Sequence, residues 1–340
     1  MGVAIHPILE KHERSLQELA GKTLAVDAFN TLYQFITIIR QPDGTPLMDS
    51  KGRITSHLSG LLYRTCNLLE KGIRPVFVFD GEPSPLKHRT IAERSQAKHE
   101  AEEQMKKARE AGEEEEAAML SQRTARLTSE NIADSKHLLE LMGLPWVQAP
   151  SEGEAQCSVM AADGVVYAAA SQDFDSLLFG APILVRNLTI AGRRKMPRRN
   201  AYVDVVPEEY LLQENLDRLG ITREKLVWIG LLCGTDFNEG IHGIGPKKSL
   251  KLVQEHDSFE SILYTTGLEM EWKPVAKLFL EPPSVKVTKA DLQFREPERA
   301  ALIQFMCDEH DFSKERVESA LAKAFKEPQS SEQSQLKKWF

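Results

Sequence analysis

The sequence predicts an α/β protein with a mainly parallel central sheet flanked by helices. Three observations carry this. Thr23-Leu-Ala-Val-Asp27, Pro75-Val-Phe-Val-Phe-Asp80 and Val165-Val-Tyr-Ala-Ala-Ala170 are short apolar runs of the kind that form fully buried parallel strands. Helical spacing fills the intervals, with Leu58, Leu61, Leu62, Cys66 and Leu69 over about 53 to 71, and Ile132, Leu138, Leu139 and Met142 over about 129 to 142. An aspartate ends or closely follows each strand.

A chain of 340 residues buries a sizeable core without staples. Its 41% hydrophobic and 27% charged content is that of an ordinary soluble protein, and no apolar run approaches the roughly 20 residues of a membrane-spanning helix. The start, Met-Gly-Val-Ala-Ile-His, lacks the basic-then-apolar order of an export signal, and His6 stands where a myristoylation signal wants Ser or Thr. Cys66, Cys157, Cys233 and Cys307 are scattered singly, which argues against a disulfide framework or a zinc knuckle and for reduced thiols inside a cell.

Between roughly 84 and 127 the composition shifts to Lys, Arg, Glu, Ala and Gln. This is helix-prone but poor in large apolar residues, so it predicts an exposed, mobile helical excursion; on composition alone an ordinary solvated surface helix is the favoured reading. After about 207 the chain reads as helical almost throughout, with Pro207 suited to a first helical turn and Gly243-Ile-Gly-Pro-Lys247 between two helical stretches. From 328 onward Gln, Ser and Glu dominate, a composition that does not fold alone. No internal repeat is present.

The formal net charge of -7 argues against a nucleic-acid binder, but its distribution argues the other way. Basic residues gather at Arg193, Arg194, Lys195, Arg198 and Arg199 and again at Lys247 and Lys248, while acids form a block at Glu113 to Glu116. Asp27 and Asp80 each end an apolar strand, and Asp173 and Asp175 follow the third. Ligands of open parallel sheets collect at the carboxyl ends of strands, so these four converge without special folding. Glu152 and Glu154 open a helix behind Ser151, read as its N-cap, although acids suit the first turn of any helix. Asp236 follows an apolar helix in Cys-Gly-Thr-Asp-Phe-Asn, where a turn or cap role is also natural. Seven gathered carboxylates repel one another unless protonated or neutralised by cations. An all-oxygen donor set suits Mg²⁺ or Mn²⁺ rather than Zn²⁺, and two such ions roughly 4 Å apart suit in-line phosphoryl displacement.

Val26-Asp27-Ala28, Phe79-Asp80-Gly81, Glu152-Gly-Glu154-Ala-Gln156, Asp173-Phe-Asp175 and Gly243-Ile-Gly-Pro-Lys247 stand in the order found in flap endonucleases. Over essentially its whole length the chain resembles that structure-specific 5′ nuclease family, in its archaeal form. The resemblance implies cleavage of a phosphodiester near the junction of duplex and 5′ flap, with 5′-to-3′ exonuclease activity, in Okazaki fragment maturation and repair. It makes Asp27, Asp80, Glu152 and Glu154 ligands centred on one metal, and Asp173, Asp175 and Asp236 ligands centred on the second. Two Mg²⁺ ions are implied, with Mn²⁺ able to substitute. Lys87 and Arg94 match the cations placed beside the scissile phosphate; their separation is close to two helical turns, so both point to one face. Tyr33 matches the aromatic residue that stacks a base near the cut, and Gly2 the processed N-terminus at the DNA junction.

The charged excursion corresponds to the family's helical arch, through or under which the 5′ strand passes. Gly243, Gly245, Lys247 and Lys248 correspond to the helical hairpin that grips the duplex by backbone and shape. Many members hold K⁺ there with a Ser where this chain has Gly240, leaving backbone carbonyls as the ligands here. Gln333, Leu336, Trp339 and Phe340 fit the peptide pattern that docks on the sliding clamp (PCNA).

The implied layout is an N-terminal nuclease region at 1–98, the arch at 84–127, an internal nuclease region with the hairpin at 116–258, a C-terminal helical region at 259–327 and a clamp-binding tail at 328–340. Branched DNA with a 5′ flap is the expected partner, with no membrane, for a monomer. Ending at the clamp motif without a basic extension reads as archaeal and cytoplasmic; a eukaryotic source would imply the nucleus. Rival readings are a related bubble or junction nuclease, a non-catalytic clamp-tethered DNA-binding factor, and an RNA-directed nuclease.

Overall fold

The computed structural model describes residues 2–41, 44–195 and 202–325. In chain order it sets β1 (His12–Glu13), β2 (Thr23–Asp27), α1 (Ala28–Ile38), α2 (Ser56–Glu70) and β3 (Arg74–Phe79). A helical turn, Pro85–Lys87, leads into α3 (His88–Glu110), followed by α4 (Glu114–Arg123), α5 (Ser129–Leu141), β4 (Trp146–Gln148) and α6 (Gly153–Ala162). Next come β5 (Ala168–Ala170), α7 (Asp175–Leu178), β6 (Ile183–Arg186), β7 (Gly192–Lys195), β8 (Tyr202–Val205) and β9 (Glu208–Leu211). The helices α8 (Leu212–Leu219), α9 (Arg223–Cys233), α10 (Pro246–Glu255), α11 (Phe259–Thr266), α12 (Lys273–Leu280), α13 (Arg299–Ile303) and α14 (Lys314–Ala324) complete the described chain.

Seven strands form one sheet in the order β1-β9-β6-β5-β2-β3-β4, parallel from β6 to β4 and antiparallel at the β1-β9-β6 edge. Strands β7 and β8 pair separately. The predicted α/β class with a mainly parallel sheet is therefore what the chain forms. Strand side chains alternate between faces. Leu24, Val26, Phe77 and Phe79 point to a core built with Leu58, Leu61 and Leu62 of α2, Leu138 and Leu139 of α5, and Leu321 of α14. Ala25, Val76 and Val78 point the other way, onto Cys157 and Met160 of α6. A second core joins α7 and α9 through Leu177, Leu178, Ile229 and Leu232 to Phe259 and Phe279 of the later helices.

Three local expectations are corrected. Pro207 does not begin a helix: Glu208–Leu211 pairs with β6 as an antiparallel strand, so ladder formation outweighs the helical cue of the proline. The third apolar run yields only Ala168–Ala170, because the amides of Val165 and Val166 turn back to the carbonyl of Met160 and close α6 instead. The C-terminal half also contains a long irregular stretch between α12 and α13. It is fastened where the Gln156 side chain bonds both the N–H and the carbonyl of Val285, at 2.8 and 3.0 Å, and where the Arg295 amide donates to Gly143.

Candidate metal centre

The carboxyl edge of the central strands supplies the first acids. Asp27 is both the last residue of β2 and the N-cap of α1, where its Oδ1 accepts the Asn30 amide at 3.1 Å. Asp80 follows β3, and its Oδ1 accepts the Gly153 amide at 2.7 Å, tying the end of that strand to the first residue of α6. A Cβ on Gly153 would stand 2.6 Å from that same oxygen, so only glycine admits the contact. Glu152 occupies the N-cap position of α6 and Glu154 its first turn. Ser151 does not cap this helix as expected: its hydroxyl is buried without a partner, because the orphan amide of the helix start is taken by Asp80 across the sheet edge.

Glu154 is fixed twice by one residue, its Oε1 accepting the Ser176 amide at 3.0 Å and the Ser176 hydroxyl at 2.6 Å. Asn30 reaches from α1 to Asp173 Oδ2 at 3.0 Å. Asp175 opens α7 and accepts the Val3 amide at 2.6 Å. Gly2 lies against this pair, where a Cβ would come within 2.8 Å of Asp173 Cβ and 3.1 Å of Asp175 Oδ1. Asp236 follows α9, and Thr90 of α3 donates its hydroxyl to the Asp236 carbonyl at 2.8 Å.

Two cations lean in from the charged helices. The Lys87 ammonium bonds Glu152 and stands 3.8 Å from Asp236, and Arg94 Nη2 bonds Asp236 Oδ1 at 2.6 Å. Both cations thus approach Asp236, Lys87 from the Pro85–Lys87 turn and Arg94 from α3, and not from two turns of a single helix.

Burial and mutual repulsion raise the proton affinity of Asp27, Asp80, Glu154 and Asp175. Burial, then Asp80 and Asp173, push Asp27 up to about 8, against the pull of the Asn30 amide. Burial and Glu152 push Asp80 to about 6. Burial, with Asp236 and Asp173, pushes Asp175 to about 7, against the Val3 amide. Glu154 rises well above the carboxylate range through burial and then Asp175, Asp173 and Asp27. For Lys87, burial lowers the pKa but the surrounding Glu152, Asp236 and Asp80 outweigh it, and the net shift is upward.

The mutual influences run Glu152, Asp80, Asp27, then Asp173 and Glu154, then Asp175 and Asp236, so all seven acids belong to one electrostatic neighbourhood. Among the described residues, no three acidic, imidazole or thiol groups close around one point as a finished coordination shell. An oxygen-only donor set, four of whose members are held at raised proton affinity, is suited to a hard divalent cation.

The remaining sequence candidates fall elsewhere. Tyr33 lies on α1 with the Lys98 ammonium 5.0 Å above its ring. Gly243, Gly245, Lys247 and Lys248 form the turn before α10 and its start, exposed at both lysines, with Lys248 donating to the Gly243 carbonyl at 2.8 Å. Gln333, Leu336, Trp339 and Phe340, like Arg198 and Arg199, lie outside the described residues. Sequence reading missed Asn30, Ser176 and the Val3 amide. Asn30 alone left a signal, its place three residues after a helix-capping aspartate.

Two family models match the chain, the XPG N-terminal domain over residues 1–101 and the XPG I-region over 143–236. Flap endonuclease 1 of Pyrococcus furiosus is 52% identical over 341 residues, covering 100% of this chain and 99% of that protein. Among solved structures, flap endonuclease-1 from Methanococcus jannaschii superposes with a TM-score of 0.74 at 40% identity, over 95% of this chain and 98% of that one. The catalytic core of Rad2 in complex with DNA substrate shares the fold, with a TM-score of 0.68 at 24% identity over 94% of this chain and 98% of its own.

Proposed function

The chain belongs to the flap endonuclease family, and we propose that Asp27, Asp80, Glu152, Glu154, Asp173, Asp175 and Asp236 form its hydrolytic centre, with Lys87 and Arg94 acting on the scissile phosphate. As a member it is a structure-specific, metal-dependent nuclease that hydrolyses DNA phosphodiesters at 5′ flaps in replication and repair. The observation that carries the residue assignment is the shared electrostatic neighbourhood of seven acids at and beside the carboxyl edge of the sheet, with Lys87 joining Glu152 to Asp236 and Arg94 bonded to Asp236.

In the proposed reaction a water oxygen bonds to phosphorus and the bond to the 3′ oxygen breaks, leaving a 5′-phosphate and a 3′-hydroxyl. When bound, two Mg²⁺ ions, or Mn²⁺ in their place, would ease deprotonation of the water and offset charge on the entering and departing oxygens. Asp27, Asp80, Glu152 and Glu154 would hold one ion, and Asp173, Asp175 and Asp236 the other. Glu154 is influenced by Asp175 and Asp173 of one proposed set and by Asp27 of the other. Lys87 and Arg94 would exchange their carboxylate partners for the phosphoryl oxygens, offsetting the charge that develops there. Tyr33 would stack a base beside the cut, and the absence of a side chain at Gly2 keeps the N-terminus clear of Asp173 and Asp175.

The reading extends to the duplex and its tether. The exposed lysines Lys247 and Lys248 beside Gly243 and Gly245 suit a phosphate backbone, with little sequence preference. K⁺ would be held by backbone carbonyls of this turn, since a Cβ at Gly240 would lie 2.3 Å from the Gly234 nitrogen and no side chain fits. Residues 333–340 would dock on the sliding clamp through Gln333, Leu336, Trp339 and Phe340. The protein would act as a monomer with 5′-to-3′ exonuclease activity as well, in the cytoplasm if its source is archaeal, like the Pyrococcus relative's. Residues 1–98 and 116–258 would be the nuclease regions, 84–127 the arch and 259–327 the C-terminal support.

The test is Mg²⁺-dependent cleavage of a 5′-labelled double-flap DNA beside a bubble, a Holliday junction and single-stranded DNA, with native protein and Asp173→Ala. Incision at the flap base, lost in the variant while DNA binding survives, is the expected outcome. Full cleavage by Asp173→Ala would remove that residue from the centre, and preference for bubbles or junctions would favour the junction-nuclease reading.

A further inference from the structure

Resting on the flap-cleavage reading, we propose that Arg40 is a positioning residue that seats the second leg of the arch and thereby sets where Lys87 and Arg94 stand. Arg40 lies just beyond α1, and its guanidinium joins three pieces of chain. Nε donates to the Thr37 carbonyl at 3.1 Å, Nη1 to the Gly44 carbonyl at 2.8 Å and to Ser121 Oγ at 2.7 Å, and Nη2 to the Ser121 carbonyl at 3.0 Å. Ser121, 81 residues away, is buried in the last turn of α4. The carbonyl end of a helix carries partial negative charge, so a cation is well placed there. Only a planar fork of donors satisfies acceptors on both segments at once.

A second observation supports the seat. Gly44, at φ +82°, presses its backbone on α4 so closely that a Cβ would lie 2.5 Å from Ala118 Cβ and 2.9 Å from Ala118 Cα. The two legs thus have different anchors. Helix α3 is fastened to the acids through Thr90 and Arg94 at Asp236, and α4 to the loop after α1 through Arg40. They meet at Ala108, Ala117 and Leu120, and Arg126 pairs with Glu102 at 2.9 Å. Fixing α4 therefore limits the swing of α3, whose near end carries Arg94 and follows directly on Lys87. Arg40 acts through α4 and not by touching the phosphate.

The experiment uses the full chain with Arg40→Ala, Arg40→Lys and Gly44→Ala. It measures amide exchange over 114–124 without DNA, single-turnover cleavage of a 5′-flap DNA, affinity for that DNA in Ca²⁺, and thermal stability. In Arg40→Ala, α4 amides should exchange about tenfold faster. Cleavage should slow about ten- to a hundredfold while affinity and melting temperature hold. Arg40→Lys should recover part of both, and Gly44→Ala should repeat the exchange effect by prying the segments apart. Unchanged exchange in Arg40→Ala overturns the seat. Weakened affinity with an unchanged cleavage rate would make Arg40 a direct phosphate contact, and a rate loss matched by a fall in melting temperature would make it merely structural. Failure of the native protein to cut flaps would sink the functional reading alone, since the exchange measurement does not depend on cleavage.

Discussion

The acid-bearing sheet edge and the charged helical pair α3–α4 meet where Thr90 and Arg94 reach Asp236, yet they are built on opposite principles. At the sheet edge Asp27, Asp80, Glu152, Glu154 and Asp175 stand at or beside strand ends and helix starts rooted in a large core, and Asp27, Glu152 and Asp175 are 6, 7 and 3% exposed. Among the described residues the helical pair's own core is Ala108, Ala117 and Leu120, with Met105 alongside, and the pair depends on polar contacts to stay in place. Displacing a reacting atom by 1 Å costs about a hundredfold in rate, which demands the rigid half. Admitting a strand demands an element that opens at low cost, which demands the other.

The largest effect should come where the halves touch. Lys87→Ala and Arg94→Ala should each slow single-turnover cleavage by about 10²–10³-fold, the scale of losing one preorganised charge-stabilising group. Because both cations meet Asp236, the double variant should lose less than the product of the two. Rates within about threefold of native for both single variants would mean that the cations serve only to neutralise buried acids, and the rigid half would then contain all the chemistry.

A smaller effect separates the halves by pH. With chelator present, Asp27, Asp175 and Asp80, raised to about 8, 7 and 6, keep protons that an unfolded chain releases near pH 4. The native state then binds more protons, so stability falls as pH rises from about 4 through about 8. Buried His57, its two ring nitrogens without partners, is pushed down to about 3 from 6.5, and it costs stability in the opposite direction as pH falls below 6.5. Above that value the acids act alone. Between about pH 6.5 and 8.5 Asp27 contributes a loss on the order of 2 kcal/mol, a fall of a few degrees in melting temperature. Saturating Mg²⁺ should flatten the slope, because cations then replace protons. A flat profile in chelator, or an equal slope with Mg²⁺, would mean that these carboxylates are not the strained cluster their burial implies.

Legibility in the sequence followed the same division. Strand Thr23–Asp27 could be read to its bounds because an unbroken apolar run ends at an acid, and the acids themselves could be placed because parallel strands deliver them to one edge. The groups that orient those acids could not. Asn30 meets Asp173 across 143 residues and the Val3 amide meets Asp175 across 172, contacts that no local pattern encodes. Strand β9 escaped because Glu208-Glu-Tyr-Leu has no apolar run and its pairing with β6 is antiparallel. In the helical pair composition disclosed the helices and their exposure, but the anchors at Arg40 and Asp236 exist only once the fold brings loops together.

Leu120→Ala should give the smallest change in global stability and the sharpest view of the loose half. Leu120 is 4% exposed, and in a large core such a truncation would cost about 2–5 kcal/mol of the whole protein's stability. Among the described residues its cluster consists of Ala108 and Ala117 with Met105 alongside, so the cavity opens within α3–α4 and not in the sheet's core. An element that opens on its own loses local stability without lowering the temperature at which the rest unfolds. The melting temperature should stay within about 1 °C, while amides of α4 and the last turns of α3 exchange about ten- to a hundredfold faster. The seat at Arg40 and the ties at Asp236 remain, so cleavage should slow less than in Arg40→Ala. A cooperative drop in melting temperature of several degrees would show that the helical pair and the sheet unfold as one unit, and the contrast between a rigid chemical half and a separately opening capture half would be wrong.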